Sequence, residues 1–133
     1  MKRRDFQDLA SIRLKEAKIL LDRKCWDGAY YLGGYAVECA LKACIATRTQ
    51  RHEFPDKKRV LGRYSHALAD LVQVAGLEQE FDRMEKAEPE FAENWQIVRD
   101  WSEQSWSRAR AESLMNAIDD RNFGVLRWLE QRW

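Results

Sequence analysis

The sequence predicts an all-α fold with about five main helices and a short C-terminal helix. Its 133 residues include only six glycines and two prolines, so few positions interrupt a helix. Apolar residues recur at intervals of three and four, and no segment keeps the strict alternation of a half-buried strand. The length is typical of one domain, so residues 1–133 are expected to form a single unit.

The first two helices carry the clearest helical patterns. Asp5 is the predicted N-cap of a helix that extends to about Lys24, and its apolar stripe includes Ala10, Leu14, Ala17 and Leu21. The second helix is predicted to begin after an Asp27 cap and to reach about Arg48. It is apolar almost all round, which is typical of the central helix of a bundle.

One face of the second helix consists only of small residues, which would let another helix approach closely. This small-residue face includes Ala29, Gly33, Ala36, Ala40 and Ala43. It could form a dimer contact, or it could pack inside the monomer against the first helix. On the opposite stripe, Glu38 and Lys42 have the spacing of a surface ion pair.

Helices and polar connections alternate after residue 48. Residues 49–62 are polar and are predicted to form a loop. Ser65 is the predicted N-cap of a helix that stops at Gly76, and a polar stretch follows to Pro89. Further helices are expected over Glu90–Glu103, Arg108–Ile118 and, after a turn, Val125–Trp133.

The charge is balanced overall but uneven along the chain. A formal net charge of +1 gives no overall basic field of the kind that a dedicated DNA-binding module carries. Residues 48–66 nevertheless hold six basic side chains against two acidic ones, whereas residues 77–103 are strongly acidic. We predict phosphate contacts in the basic segment, although solvated helix faces also explain such runs. The candidates are Arg48, Arg51, Lys57, Lys58 and Arg63.

Neither a metal site nor a cofactor motif is evident. The three cysteines and two histidines have no zinc-ligand spacing, and no glycine-rich phosphate loop is present. The thiols are expected to be reduced, as in a cytoplasmic protein. The longest uncharged stretch, Gly28–Val37, is too short to span a membrane, so no membrane partner is expected.

The second helix contains a recognisable string, since Gly28–Ala43 reads GAYYLGGYAVECALKA. This string resembles the signature of HEPN-domain proteins. Other parts of the pattern follow in order and extend the similarity over nearly the whole chain: Arg13-Leu14-x-Glu16-Ala17, Tyr64-x-His66-x-Leu68, Asn94-Trp95, Trp101-Ser102-Glu103 and Gly124–Leu129. The resemblance implies an up-down helical bundle that forms a homodimer. Members of the family include ribonucleases and toxins, inactive partners of nucleotidyltransferases, and RNA- or nucleotide-binding modules.

Active HEPN ribonucleases pair an Arg with a His a few residues later. The resemblance transfers these roles to Arg59 and His66, with His66 as the base for the 2′-hydroxyl and Arg59 as the cation at the phosphate. Val60 stands where those enzymes have a polar residue, and Gly62 interrupts the helix that the pair would share. Relatives also often carry Arg-Tyr after the Trp-Ser-Glu motif. This chain has Ser105-Trp106 there, with Arg108 and Arg110 nearby.

Three functional hypotheses follow from the resemblance. The first, which we favour, is a nucleic-acid- or nucleotide-binding HEPN module with little or no nuclease activity of its own. The second is a metal-independent ribonuclease toxin of a toxin–antitoxin pair that uses Arg59 and His66. The third is a non-catalytic subunit that docks to a nucleotidyltransferase-type or antitoxin partner.

Overall fold

The computed structural model describes residues 1–51, 67–101 and 107–133, and the chain within these ranges is helical with no strand. The prediction of an all-α bundle is confirmed. None of the described helices is long and apolar enough to cross a membrane. The helices are α1 (Arg3–Asp22), α2 (Trp26–Arg51), α3 (Leu68–Val74), α4 (Glu78–Ala87), α5 (Pro89–Arg99), α6 (Arg108–Asp119) and α7 (Val125–Glu130).

Helices α1 and α2 form an antiparallel hairpin. Near the turn, Leu20 of α1 lies against Gly28 of α2. Farther from the turn, Arg13 of α1 lies close enough to Cys39 of α2 for its charge to act on the pKa of that thiol. The turn needs one residue in the left-handed region, and Lys24 adopts it with φ of 64°. On the α2-facing side of α1, Ala10 and Ala17 are completely buried, so two surfaces rich in small residues meet here.

The predicted caps of these two helices are wrong by a few residues. Helix α1 begins at Arg3, and the Asp5 carboxylate lies inside the first turn, where it accepts the Lys2 backbone N–H at 2.8 Å. Helix α2 begins at Trp26, so Asp27 also lies in a first turn rather than at the cap. An acidic residue is favourable throughout the first turn because the amide end of a helix carries partial positive charge. The sequence pattern therefore located the ends but not the cap residue.

Helix α2 lies at the centre of the bundle, as predicted. It contacts α1, α3, α6 and α7, and most of its side chains from Ala36 to Ala46 are buried. Helix α6 runs along it in the same direction, because Trp26 lies beneath Arg108 while Gly33 faces Leu114 and Ile118. An almost uniformly apolar helix needs neighbours on all sides, which is why α2 takes this position.

The segment before Pro89 is a helix, which corrects the prediction of a polar connection. Helix α4 is anchored by Phe81, whose ring centroid lies 4.6 Å from those of both Trp95 and Trp128. One buried aromatic residue fixes an otherwise solvated helix, and a single apolar residue gives little periodic signal in the sequence. Helix α5 ends at Arg99, four residues before its predicted end, and Trp101 follows it outside the helix.

The other boundaries after residue 48 are also adjusted. Helix α2 continues to Arg51, into the predicted loop. Helix α3 begins at Leu68 with Ala67 as its N-cap, whereas the predicted cap, Ser65, lies outside the described residues. The C-terminal helix α7 is shorter than predicted and ends at Glu130.

Candidate functional site

Most of the predicted catalytic and phosphate-binding residues lie outside the described part of the chain. These are Arg59 and His66, the candidate catalytic pair, together with Lys57, Lys58 and Arg63. Arg51 is the last residue of α2, and its side chain is also outside the described part of the chain. Of the predicted phosphate-binding side chains, the structure therefore describes Arg48.

Arg48 packs against the end of a neighbouring helix. Gly76 follows α3 with a φ of +70°, and a Cβ at that position would lie 2.3 Å from a terminal nitrogen of Arg48. The guanidinium therefore occupies the space beside the carbonyl end of α3, where the helix dipole favours a cation. This contact places the start of the basic segment next to the Ala75–Gly76 turn.

The small-residue face of α2 is buried inside the monomer. Ala29, Ala36, Ala40 and Ala43 are all essentially inaccessible to solvent. At Gly33, an added Cβ would lie 3.4 Å from Ile118 Cδ1, which is ordinary van der Waals distance. Part of this face thus packs against α6, whereas the predicted partner inside the monomer was the first helix.

Trp101 was missed as a structural determinant of the region. Its indole lies on Gly34 so closely that a Cβ there would come within 2.0 Å of the ring atom Cε2. The indole Nε1 donates a buried hydrogen bond of 3.0 Å to the Tyr30 carbonyl oxygen. The sequence signal for such a close contact is the pair of adjacent glycines inside an apolar helix. Each glycine removes roughly 1 kcal/mol of helix stability relative to alanine, a cost that close packing can offset.

Glu38 and Lys42 form the predicted ion pair, but the pair is not on the surface. Their Oε2 and Nζ atoms are 3.1 Å apart, while Glu38 is 1% exposed and the Lys42 side chain 12% exposed. Tyr35 and Arg13 adjoin this pair, and Arg13 is bonded to Glu16 on α1. The pair is desolvated because α1, α3, α6 and α7 pack around α2, a consequence of the tertiary fold that the i, i+4 spacing alone does not reveal.

Burial also sets the chemistry of the cysteines. Removal from solvent, with the nearby charge of Glu38, raises the pKa of the Cys39 thiol to about 11. Burial raises the pKa of Cys44 to about 12. Neither is a nucleophile at neutral pH, because the reactive species is the thiolate. All three cysteines are free, as predicted, and Cys25 is exposed.

A groove of about 330 Å³ opens between α2, α5 and α6. Tyr30 forms part of its wall, directly beside the Trp101 bond, while Ile97 contributes an exposed apolar side chain and Arg110 a cation. Such a volume and such a mixture of apolar and polar groups are within the range of small-molecule sites. Its described lining residues are Tyr30, Ile97, Asp100, Ala109, Arg110 and Ser113.

The two arginines at the start of α6 differ in their partners. Arg108 is paired with Glu112 at 3.0 Å and lies over the Trp26 ring, 5.2 Å from its centroid. The Arg110 guanidinium, which lines the groove, has no ion-pair partner among the described residues. The Asp100 carboxylate accepts from Gln96 Nε2 at 3.2 and 3.3 Å. Among the described residues, the groove therefore presents one arginine without an ion-pair partner and one carboxylate that Gln96 holds.

Within the described residues, no group of three or more His, Cys, Asp or Glu side chains is arranged to hold a metal ion. Comparison with known proteins gives one finding. A family model described as HEPN domain matches residues 4–117, which span α1 through most of α6. No curated protein and no solved structure matches the chain.

Proposed function

The chain belongs to the HEPN-domain family, and from that membership we propose that it is a nucleic-acid- or nucleotide-binding helical module with little or no ribonuclease activity of its own. The family match over residues 4–117 is the observation that carries this proposal. The balance of charge supports it, since basic residues concentrate in residues 48–63 while residues 77–103 are acidic. A polyanion would be attracted to the basic segment and repelled by the acidic one.

The expected path of a bound RNA begins at the end of α2. Arg48 holds the start of the basic segment beside the α3 terminus, and Lys57, Lys58 and Arg59 follow it in sequence. Each lysine or arginine that neutralises a phosphate releases counterions, so affinity for RNA should fall steeply with salt. Binding of this kind needs no cofactor and no metal.

Charge reversal tests the proposal directly. The triple variant Lys57→Glu, Lys58→Glu, Arg59→Glu should bind a single-stranded RNA more weakly, and the slope of log affinity against log salt should flatten by about 2 if three phosphate contacts are lost. The matched control is Lys15→Glu, Arg83→Glu, Lys86→Glu, which makes the same net change at exposed positions elsewhere. Filter retention across a salt series measures both quantities, and light scattering of the same samples reports whether the expected homodimer forms.

The two alternatives make different predictions in the same experiments. If the chain is a ribonuclease toxin, the purified protein will degrade total RNA without metal, and both Arg59→Ala and His66→Ala will abolish that activity with folding intact. If it is an interaction subunit of a nucleotidyltransferase-type partner, RNA retention will be weak and equal in the charge-reversed and control variants. We do not expect the nuclease result, because Val60 and Gly62 depart from the pattern of active relatives. We do not expect equal retention either, because the basic side chains concentrate in residues 48–63.

A further inference from the structure

The groove between α2, α5 and α6 has a chemistry that the basic segment does not share. Its cation is Arg110, whose guanidinium is exposed and has no ion-pair partner in the described ranges. A guanidinium presents several donors in a fixed fork that matches the oxygens of a phosphate group. A phosphate could therefore bind Arg110 in the way that the Glu112 carboxylate binds Arg108.

The groove also contains an acidic side chain, Asp100, which directly follows α5. Two bonds from the Gln96 amide hold its carboxylate in place. An ionised carboxylate offers about four acceptor sites, so acceptor capacity is left for a ligand that donates. Vicinal hydroxyls of a ribose are such donors, and carboxylates bind them in known dinucleotide sites.

The remaining wall is apolar and rigidly supported. Ile97 is 40% exposed, and it lines the same groove as Tyr30. The Tyr30 backbone is fixed by the Trp101 indole, which is wedged against Gly34. A flat heterocycle could cover Ile97 and remove it from water, which is favourable for apolar surface.

We propose that this groove binds a ribonucleotide unit, with the phosphate at Arg110, the ribose hydroxyls at Asp100 and the base against Ile97. The inference deepens the proposed function and rests on it, because it gives the nucleotide a site separate from the basic segment. A ribonucleotide carries one group for each part of the groove. Its phosphate matches the cation, its vicinal diol matches the carboxylate, and its planar base matches the apolar wall. The ligand class is therefore a nucleoside monophosphate, free or as one unit of an RNA strand.

The test is calorimetric titration of the full chain with adenosine 5′-monophosphate. Arg110→Gln should weaken binding about tenfold, the usual effect of one lost charge-assisted bond. Arg108→Gln is the matched control. It removes the same charge two residues away, but the Arg108 side chain does not line the groove, so affinity should change less than twofold. Adenosine and inorganic phosphate, titrated separately, should each bind much more weakly than the nucleotide.

Asp100 is tested through sugar specificity. The wild type should prefer adenosine 5′-monophosphate to its 2′,3′-dideoxy analogue, and Asp100→Asn should remove that preference without loss of thermal stability. Equal weakening by Arg108→Gln and Arg110→Gln, an unchanged preference in Asp100→Asn, or no binding at about 1 mM nucleotide would overturn the inference. If these titrations fail while the Lys57, Lys58 and Arg59 reversal still weakens RNA retention, the groove assignment is wrong and the proposed function stands.

Discussion

Two adjacent glycines in the first half of α2, Gly33 and Gly34, should respond in opposite directions to substitution by alanine. Gly34→Ala places a Cβ 2.0 Å from Trp101 Cε2, so the indole must move and its bond to the Tyr30 carbonyl is lost. Gly33→Ala places a Cβ at 3.4 Å from Ile118 Cδ1 and 3.6 Å from Leu114 Cδ2, where it fits without displacement. The pair separates tight packing from helix propensity.

The expected magnitudes follow from three contributions. Alanine gains roughly 1 kcal/mol of helix propensity over glycine at either position. At Gly34, overpacking costs about 1–3 kcal/mol and the lost buried hydrogen bond about 1 kcal/mol, which leaves a net destabilisation of about 1–3 kcal/mol. At Gly33 the propensity gain stands alone, so stability should rise by up to about 1 kcal/mol.

Thermal unfolding followed by circular dichroism measures the difference. For a domain of this size, 1 kcal/mol corresponds to about 4 °C, so Gly34→Ala should lower Tm by about 4–12 °C while Gly33→Ala raises it by a few degrees. Combining Gly34→Ala with Trp101→Ala should relieve the clash, so the alanine at position 34 should be neutral or stabilising in that background. Equal effects of the two single glycine variants, or an undiminished cost of Gly34→Ala without the indole, would refute the packing argument.

Two further predictions concern buried ionisable groups. Glu38→Gln should destabilise the protein by about 3 kcal/mol in denaturant unfolding, because it leaves Lys42 without its counterion. The control is Glu112→Gln, at the exposed pair of identical spacing, which should be close to neutral. Equal costs of the two substitutions would show that burial does not set the contribution of the pair. The raised pKa values of Cys39 and Cys44 mean that the unfolded chain loses these protons at lower pH than the folded one, so stability should be lost between about pH 9 and pH 11–12. Cys39→Ala and Cys44→Ala should each make that loss shallower, and at pH 8 a thiol reagent should modify Cys25 quickly and the other two only after denaturation.

The sequence by itself determined the helical class, the family and the central position of α2. These features are local or repetitive: apolar periodicity, scarce helix breakers and a sixteen-residue string from Gly28 to Ala43 each leave a signal along the chain. The approximate ends of α1 and α2 followed for the same reason, although side-chain bonding shifted the cap residues. Helix α4 escaped prediction because its stability comes from one phenylalanine inserted between tryptophans from two other helices.

Only the tertiary structure decided which residues meet. Trp101 and Gly34 are 67 positions apart, and nothing in either local pattern states that an indole covers that glycine. The spacing of Glu38 and Lys42 predicts their bond but not their burial, since burial depends on the helices that pack around α2. In the same way, Arg108 and Arg110 are equivalent as sequence, and the fold distinguishes them by giving Glu112 and Trp26 to one and a groove to the other. Contacts between distant segments are set by packing, which acts on three-dimensional shape rather than on sequence spacing.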